Sequence, residues 1–161
     1  MMFDLDRFTR AQERPVDGFD TALRELQAGR KRSHWIWYIF PQLAGLGSSP
    51  MAARYGLQGP AEATAYLRDS VLRTRLLAVT TAVASHLQRR PAPALDDLMG
   101  SEIDALKLVS SMTLFREISR RLNQAEPVPD LEELGAAAET ILQVAAEQGY
   151  PECAVTRRQL G

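Results

Sequence analysis

Apolar residues recur every three or four positions along three long stretches of the chain, the spacing of a buried helix face. Prolines and glycines bound these stretches: the first ends at Pro91, and the third lies between Pro129 and Gly149. We predict three long amphipathic helices with the apolar stripes Leu72, Leu76, Val79, Val83 and Leu87; Leu108, Ser111, Phe115, Ile118 and Leu122; and Leu131, Leu134, Ala138, Ile141 and Ala145.

Shorter helices are predicted where a capping residue precedes a brief apolar run. Asp4, Asp17 and Ser33 precede the first three such runs, and the last of these continues to about Phe40. Residues 35–40 would also suit a strand, but no other stretch offers a convincing partner strand, which favours a helix. Further helix starts are expected at Ser48 or Ser49, Gly59, Asp69 and Ser101, where Ser101 and Asp104 resemble a capping box.

This pattern predicts an all-α fold. The several brief helices favour a single irregular (orthogonal) bundle of about six to eight helices over an up-down four-helix bundle. No linker or repeat divides the chain, so we expect one domain over residues 1–161, with a ragged C-terminal tail at about 150–161.

Charge and composition argue against several classes of function. The formal net charge is −1, and basic residues alternate with acidic ones, so we expect no nucleic-acid partner. The short run Arg30-Lys31-Arg32 is interpreted as a solvated helix end. No window approaches the roughly 18 apolar residues of a membrane span, and the N-terminal stretch does not read as a signal peptide. We therefore expect a cytoplasmic protein without a membrane partner.

The reactive residue types are scarce. A single cysteine, Cys153, excludes an internal disulfide and a cysteine-based zinc site, and the two histidines lie far apart in the sequence. We expect no metal and no cofactor. The oligomeric state is left open by the sequence.

Two runs combine polar residues with bulky apolar neighbours, and together they form the candidate site. In the first, His34 would act as a general acid or base, because a histidine side chain titrates near neutrality. In the second, Lys107 would hold an anionic group, and Ser110 or Ser111 would bind it or act as a nucleophile. Trp35, Trp37 and Tyr38 would stack on a flat ligand. The wider set of expected ligand-binding residues is Arg32, Ser33, Trp35, Trp37, Gln42, Asp104 and Thr113.

Other interpretations of the same runs stay open. The aromatic stretch could simply be the hub of a helical core, and Asp104 with Lys107 could be a structural ion pair on one helix face. Alternatively, the stretch His34–Gln42 could be exposed and dock a partner protein as a non-catalytic interaction module. The functional hypothesis is a small anionic or nucleotide-like ligand in a Trp-lined cleft, with or without turnover.

Several runs also carry a family resemblance: KRSHWIWYIFPQ from Lys31, AARYGL from Ala52 and KLVSSMTLF from Lys107. They resemble an uncharacterised, mostly bacterial family known as domain of unknown function eighteen-ten, whose members are sometimes mislabelled calpastatin. The resemblance implies an α-helical single-domain fold and brings no established activity. One departure is Asp69-Ser70, where the family usually has His-Pro, so that histidine is not expected to carry essential chemistry.

Overall fold

The computed structural model describes residues 2–161, and within them ten α-helices and no β-strand are formed. The all-α class and the irregular bundle predicted from the sequence are confirmed. The number exceeds the expected six to eight because short helices also form near residues 95 and 154. In chain order the helices are α1 (Asp6–Gln12), α2 (Phe19–Gln27), α3 (Ile36–Ile39), α4 (Pro50–Tyr55), α5 (Pro60–Arg68), α6 (Ser70–Leu87), α7 (Leu95–Met99), α8 (Glu102–Ala125), α9 (Pro129–Glu147) and α10 (Ala154–Leu160).

The three long helices α6, α8 and α9 form the frame of the bundle. Every residue of their three predicted apolar stripes is buried, including Ser111, which is fully enclosed. Helix α9 packs along both α8 and α6, while α5, α7 and α10 pack against α8. Burial of these stripes is the main stabilising contribution, at about 25 cal/mol for each Å² of apolar surface removed from water. None of the helices within residues 2–161 has the length and apolar character needed to cross a membrane.

Three of the predicted helix caps are confirmed and three are wrong. The side chains of Ser49, Asp69 and Ser101 accept hydrogen bonds from backbone amides of the first helical turns. By contrast, α1, α2 and α3 begin after Leu5, Gly18 and Trp35, with no side-chain cap. The Ser33 side chain does not cap α3 because its hydroxyl donates to Glu25 of α2 instead.

The prediction of a ragged tail at about 150–161 differs from the structure, in which residues 154–160 form α10 and pack against α8. Thr113 of α8 accepts a hydrogen bond from the Cys153 amide at 3.3 Å. Arg116 of α8 pairs with Glu152 at 2.5 Å, and the Thr156 side chain is buried. These polar contacts join segments that are distant in the sequence. The spacing of apolar residues along residues 150–161 therefore could not predict them.

The aromatic stretch around α3 is mainly part of the core. Trp35, Tyr38 and Phe40 are at most 1% exposed, whereas Trp37 is half-buried. The loop before α3 reaches across to the end of α7, where the Lys31 amide donates to the Leu98 carbonyl at 2.8 Å. This contact brings the two polar runs found in the sequence side by side.

Candidate functional site

A cleft of ≈ 360 Å³ opens between the loop before α3 and the first turns of α8. We call it the Lys107 cleft. It is bordered by both lysines of the chain, by one of its two histidines and by one of its two tryptophans. Its full lining is Lys31, Arg32, Ser33, His34, Trp37, Met99, Gly100, Ser101, Ile103, Asp104 and Lys107.

Glu25 of α2 holds the loop that forms one wall of the cleft. Its carboxylate accepts hydrogen bonds from the Arg32 and Ser33 amides at 2.9 and 3.0 Å and from the Ser33 hydroxyl at 2.5 Å. The Trp35 indole N–H also donates to it, at 2.9 Å. Burial raises the pKa of the Glu25 carboxyl, but these hydrogen bonds outweigh burial and hold the pKa below its ordinary value. The wall is therefore fixed around a charged carboxylate.

Lys31 is buried and ion-paired, which corrects the expectation of a solvated basic helix end. Its Nζ lies 2.8 Å from Asp104 Oδ2, donates to the Ser33 carbonyl and sits 4.8 Å from the centre of the Trp35 ring. The expected ion pair between Asp104 and Lys107 is not formed, because the Asp104 carboxylate turns to Lys31. This pair joins the loop to the first turn of α8 across the floor of the cleft.

Lys107, unlike Lys31, has no ion-pair partner in the described residues. Its Nζ lies 4.9 Å from the centre of the Trp37 ring, which attracts a cation through the negative face of its π system. Within residues 2–161 no carboxylate lies at salt-bridge distance from Lys107, although ten other basic side chains have such a partner. Both side chains are half-buried. The cleft therefore presents a positive charge that the described part of the protein does not neutralise.

Gly100 allows the α7–α8 turn to approach the loop. Its φ is +85°, a conformation that favours glycine. A Cβ at this position would lie 2.8 Å from the Lys31 carbonyl oxygen. Only glycine thus fits both the backbone conformation and the close contact between the two walls.

The structure brings together six of the residues proposed from the sequence: Arg32, Ser33, His34, Trp37, Asp104 and Lys107. Arg32 and His34 are exposed. Within residues 2–161 the His34 imidazole makes no hydrogen bond; only the His34 backbone carbonyl accepts one, from the Tyr38 hydroxyl. Both lie on the rim, where they can reach a ligand. Their roles in binding or proton transfer stay predictions.

The other proposed residues lie outside the cleft. Trp35 is fully buried in the core, and Gln42 lies beyond α3, where its carbonyl accepts from the Leu57 amide at 2.9 Å. The Ser110 and Thr113 hydroxyls donate to helix carbonyls four residues earlier, at 3.1 and 2.7 Å. Ser111 is fully buried, without a hydrogen-bond partner in residues 2–161. A serine nucleophile stays a prediction that the cleft does not support, because neither Ser110 nor Ser111 lines it.

Sequence reasoning missed three residues that shape the site: Glu25, Lys31 and Gly100. Glu25 stood on the polar side of a predicted helix, where nothing distinguished it from a solvated acid. Lys31 belongs to a basic run that was interpreted as solvated, so it was not expected to be buried. Gly100 ends a segment that was expected to form at most one helical turn, so no close contact was expected there. The only available signal was the family run that begins at Lys31 and not at His34.

The arrangement can hold an anion against an aromatic face. Arg32 and Lys107 supply charged donors, His34 can donate or accept a proton, and Trp37 supplies a flat surface. Within residues 2–161 no group of three or more His, Cys, Asp or Glu side chains is placed to hold a metal ion.

Comparisons with known proteins give a family and a fold without an activity. The sequence model of the family described as Protein of unknown function (DUF1810) matches residues 2–133. The crystal structure of the conserved hypothetical protein Rv1873 from Mycobacterium tuberculosis is similar, with 38% identity and a TM-score of 0.70. The match covers 97% of this chain and 95% of that one. A search of curated proteins found no match.

Proposed function

Because this chain belongs to the family described as Protein of unknown function (DUF1810), which carries no assigned activity, we propose its function from the cleft alone. The Lys107 cleft binds a small anionic molecule that contains a flat ring, such as a nucleotide-like compound. A volume of ≈ 360 Å³ lies within the range of about 300–1,000 Å³ that is usual for small-molecule sites.

One observation carries this proposal: the Lys107 ammonium lies over Trp37 without a carboxylate partner in residues 2–161. Lysine is seldom withdrawn from water unless its charge is paired. A half-buried, unpaired ammonium beside an aromatic ring is a favourable place for the negative group of a ligand. The adjacent ring then offers its remaining surface to an aromatic part of the same ligand.

Binding is supported better than covalent catalysis. Ser110 and Ser111 do not line the cleft, so neither of the two expected nucleophiles is placed there for His34 to activate. Ser33 and Ser101 do line it, but the Ser33 hydroxyl donates to Glu25, and Ser101 caps α8. His34 is free to move a proton at its imidazole nitrogens, and turnover would depend on that group alone.

The alternative of a protein-docking module finds little support in the burial pattern. Within the stretch His34–Gln42, the residues Trp35, Ile36, Tyr38, Ile39 and Phe40 are all at most 2% exposed. Only Trp37 offers a partly exposed aromatic ring, and a single ring does not make a docking surface.

A thermal-shift screen against metabolites and nucleotides tests the proposal. Ligands that raise the melting temperature are then titrated while tryptophan fluorescence is recorded, because Trp37 lines the cleft and Trp35 is enclosed. We expect Lys107→Met to weaken binding by about tenfold or more through the loss of a charged hydrogen-bond donor. Arg89→Met is the matched control, since Arg89 is exposed near the end of α6, outside the cleft.

The variants must first give wild-type circular dichroism spectra. Binding that persists unchanged in folded Lys107→Met and His34→Ala would place the ligand elsewhere and contradict the proposal. A screen in which no anionic compound with a ring stabilises the wild-type protein would also contradict it.

A further inference from the structure

We propose that the ligand of the Lys107 cleft carries a dianionic phosphate monoester group, which Arg32 and Lys107 bind together. This inference rests on the proposed function and specifies the chemistry of the anion. It follows from the number and pairing of the charges that line the cleft.

The lining contains three permanently basic side chains, Lys31, Arg32 and Lys107, and one carboxylate, Asp104. Asp104 lies 2.8 Å from Lys31 Nζ, so these two charges compensate each other. The Arg32 and Lys107 side chains have no carboxylate partner at salt-bridge distance within residues 2–161. Arg32 and Lys107 therefore supply two uncompensated positive charges to the cleft.

Two further acids, Glu25 and Glu102, lie in the adjoining elements, and neither lines the cleft. Glu25 is outside the lining, and its carboxylate is already surrounded by donors from Arg32, Ser33 and Trp35. These donors hold its charge against the loop. Glu102 begins α8 but is exposed and likewise does not line the cleft.

A phosphate monoester matches two positive charges better than a carboxylate or a sulfate ester does. It carries a charge of about −1.5 to −2 at neutral pH and has three acceptor oxygens on one centre. Arg32 can present two parallel N–H groups to such a centre, while Lys107 acts as a compact point charge beside Trp37. A singly charged anion would leave one of the two cations unpaired.

Phenyl phosphate and phenyl sulfate test whether the cleft prefers a doubly charged anion, because the two compounds share the ring and the shape but differ by one charge. Calorimetric titrations are done in low salt at a pH of about 8, above the second phosphate pKa near 6. We expect phenyl phosphate to bind at least about tenfold more tightly than phenyl sulfate. Arg32→Met and Lys107→Met should each remove most of this preference, and Arg89→Met should retain it.

Asp104→Asn gives a test of opposite sign. It frees the charge of Lys31, so the affinity for phenyl phosphate should rise severalfold, provided that circular dichroism shows a folded variant. A purely structural Asp104 would give weaker binding instead.

The outcomes separate the two proposals. If both probes bind equally well and Lys107→Met weakens both, the cleft binds anions but the dianion inference is wrong. If neither probe, nor any anion of the wider screen, binds the wild-type protein, both proposals fail. If phenyl phosphate binds with equal affinity to wild type, Arg32→Met and Lys107→Met, an adventitious site elsewhere explains the binding and the inference is overturned.

Discussion

Glu25 shows how one side chain can organise the wall of a cleft without lining the cleft itself. Its carboxylate accepts four hydrogen bonds from three residues of the loop, Arg32, Ser33 and Trp35, so that Arg32 and His34 project from a fixed backbone. A loop that is ordered before the ligand arrives loses less conformational entropy on binding. Preorganisation of this kind is the contribution we assign to Glu25.

We expect Glu25→Gln to lower the free energy of unfolding by about 1.5–3 kcal/mol at neutral pH, because hydrogen bonds to a charged acceptor are lost. The folded-state pKa of Glu25 lies below its ordinary value of 4.5, so its contribution is present above that pH and is lost as the pH falls through the folded pKa. Urea unfolding at pH 7 and in acid measures both effects. Glu147→Gln, at an exposed position of α9, is the control. A difference between Glu25→Gln and wild type that grows in acid would contradict this account.

At the scale of single residues, the sequence predicted which side chains come together around the cleft better than how those side chains pair. Asp104 and Lys107 share a helix face, which suggested an ion pair, but Asp104 binds Lys31 from a distant part of the chain. Ser111 continues the same face, yet it is fully buried in a helix against which α5, α7, α9 and α10 all pack. Pairing between segments depends on tertiary contacts that a local period does not encode.

Among the elements, the turn between α7 and α8 controls how closely the two walls of the cleft approach. Gly100 ends α7 in the left-handed conformation, and Ser101 caps α8 immediately after it. The position of Asp104 and Lys107 relative to the loop therefore depends on this two-residue junction.

Gly100→Ala should destabilise the protein by more than the cost of a left-handed alanine, which is about 1–2 kcal/mol. The added Cβ would meet the Lys31 carbonyl oxygen at 2.8 Å and push the walls apart, so ligand affinity should fall as well. Gly45→Ala is a close control, because Gly45 has a φ of +90° but open space around its missing Cβ. Chemical denaturation measures the loss of stability in each variant, and the difference between the two losses gives the effect of the contact with the Lys31 carbonyl. Equal losses of stability would show that it contributes nothing.

The long helices were predictable as elements and the short ones only in part. The stripes of α6, α8 and α9 span several turns, so their burial dominates any local preference. The short α3 starts later than predicted because Glu25 holds Ser33 and Trp35 in the preceding loop. Helix α10 was missed because its anchors, Thr113 and Arg116, lie on another helix.

At the scale of the whole molecule, ionisable groups define a pH range of stability. Hydrogen bonds from Arg120 and Arg116 hold the pKa values of Glu117 and Glu152 below the ordinary 4.5. Burial raises the pKa values of Tyr38 and Tyr66 above the ordinary 10.0. The folded state therefore keeps these carboxylates charged in acid and these phenols neutral in alkali.

We expect a plateau of stability between about pH 5 and 9, with losses on both sides. The carboxylates contribute above their unfolded-state pKa and lose this contribution as the pH falls through their folded values. The two tyrosines contribute below pH 10.0 and lose their contribution as the pH rises. Urea midpoints across this range measure the profile. Tyr66→Phe should flatten the alkaline side, and an unchanged alkaline loss would assign it to other groups.

Each lysine of the chain lies over a tryptophan beside the same cleft, and all the other basic side chains except histidine are arginines. Amine-directed reagents therefore have no remote side chain to modify. Acylation of a lysine, or its coupling to an amine-reactive sensor chip, would fall on the cleft itself and remove a charge that lines it. Tethering through the partly exposed Cys153 thiol keeps both ammonium groups intact.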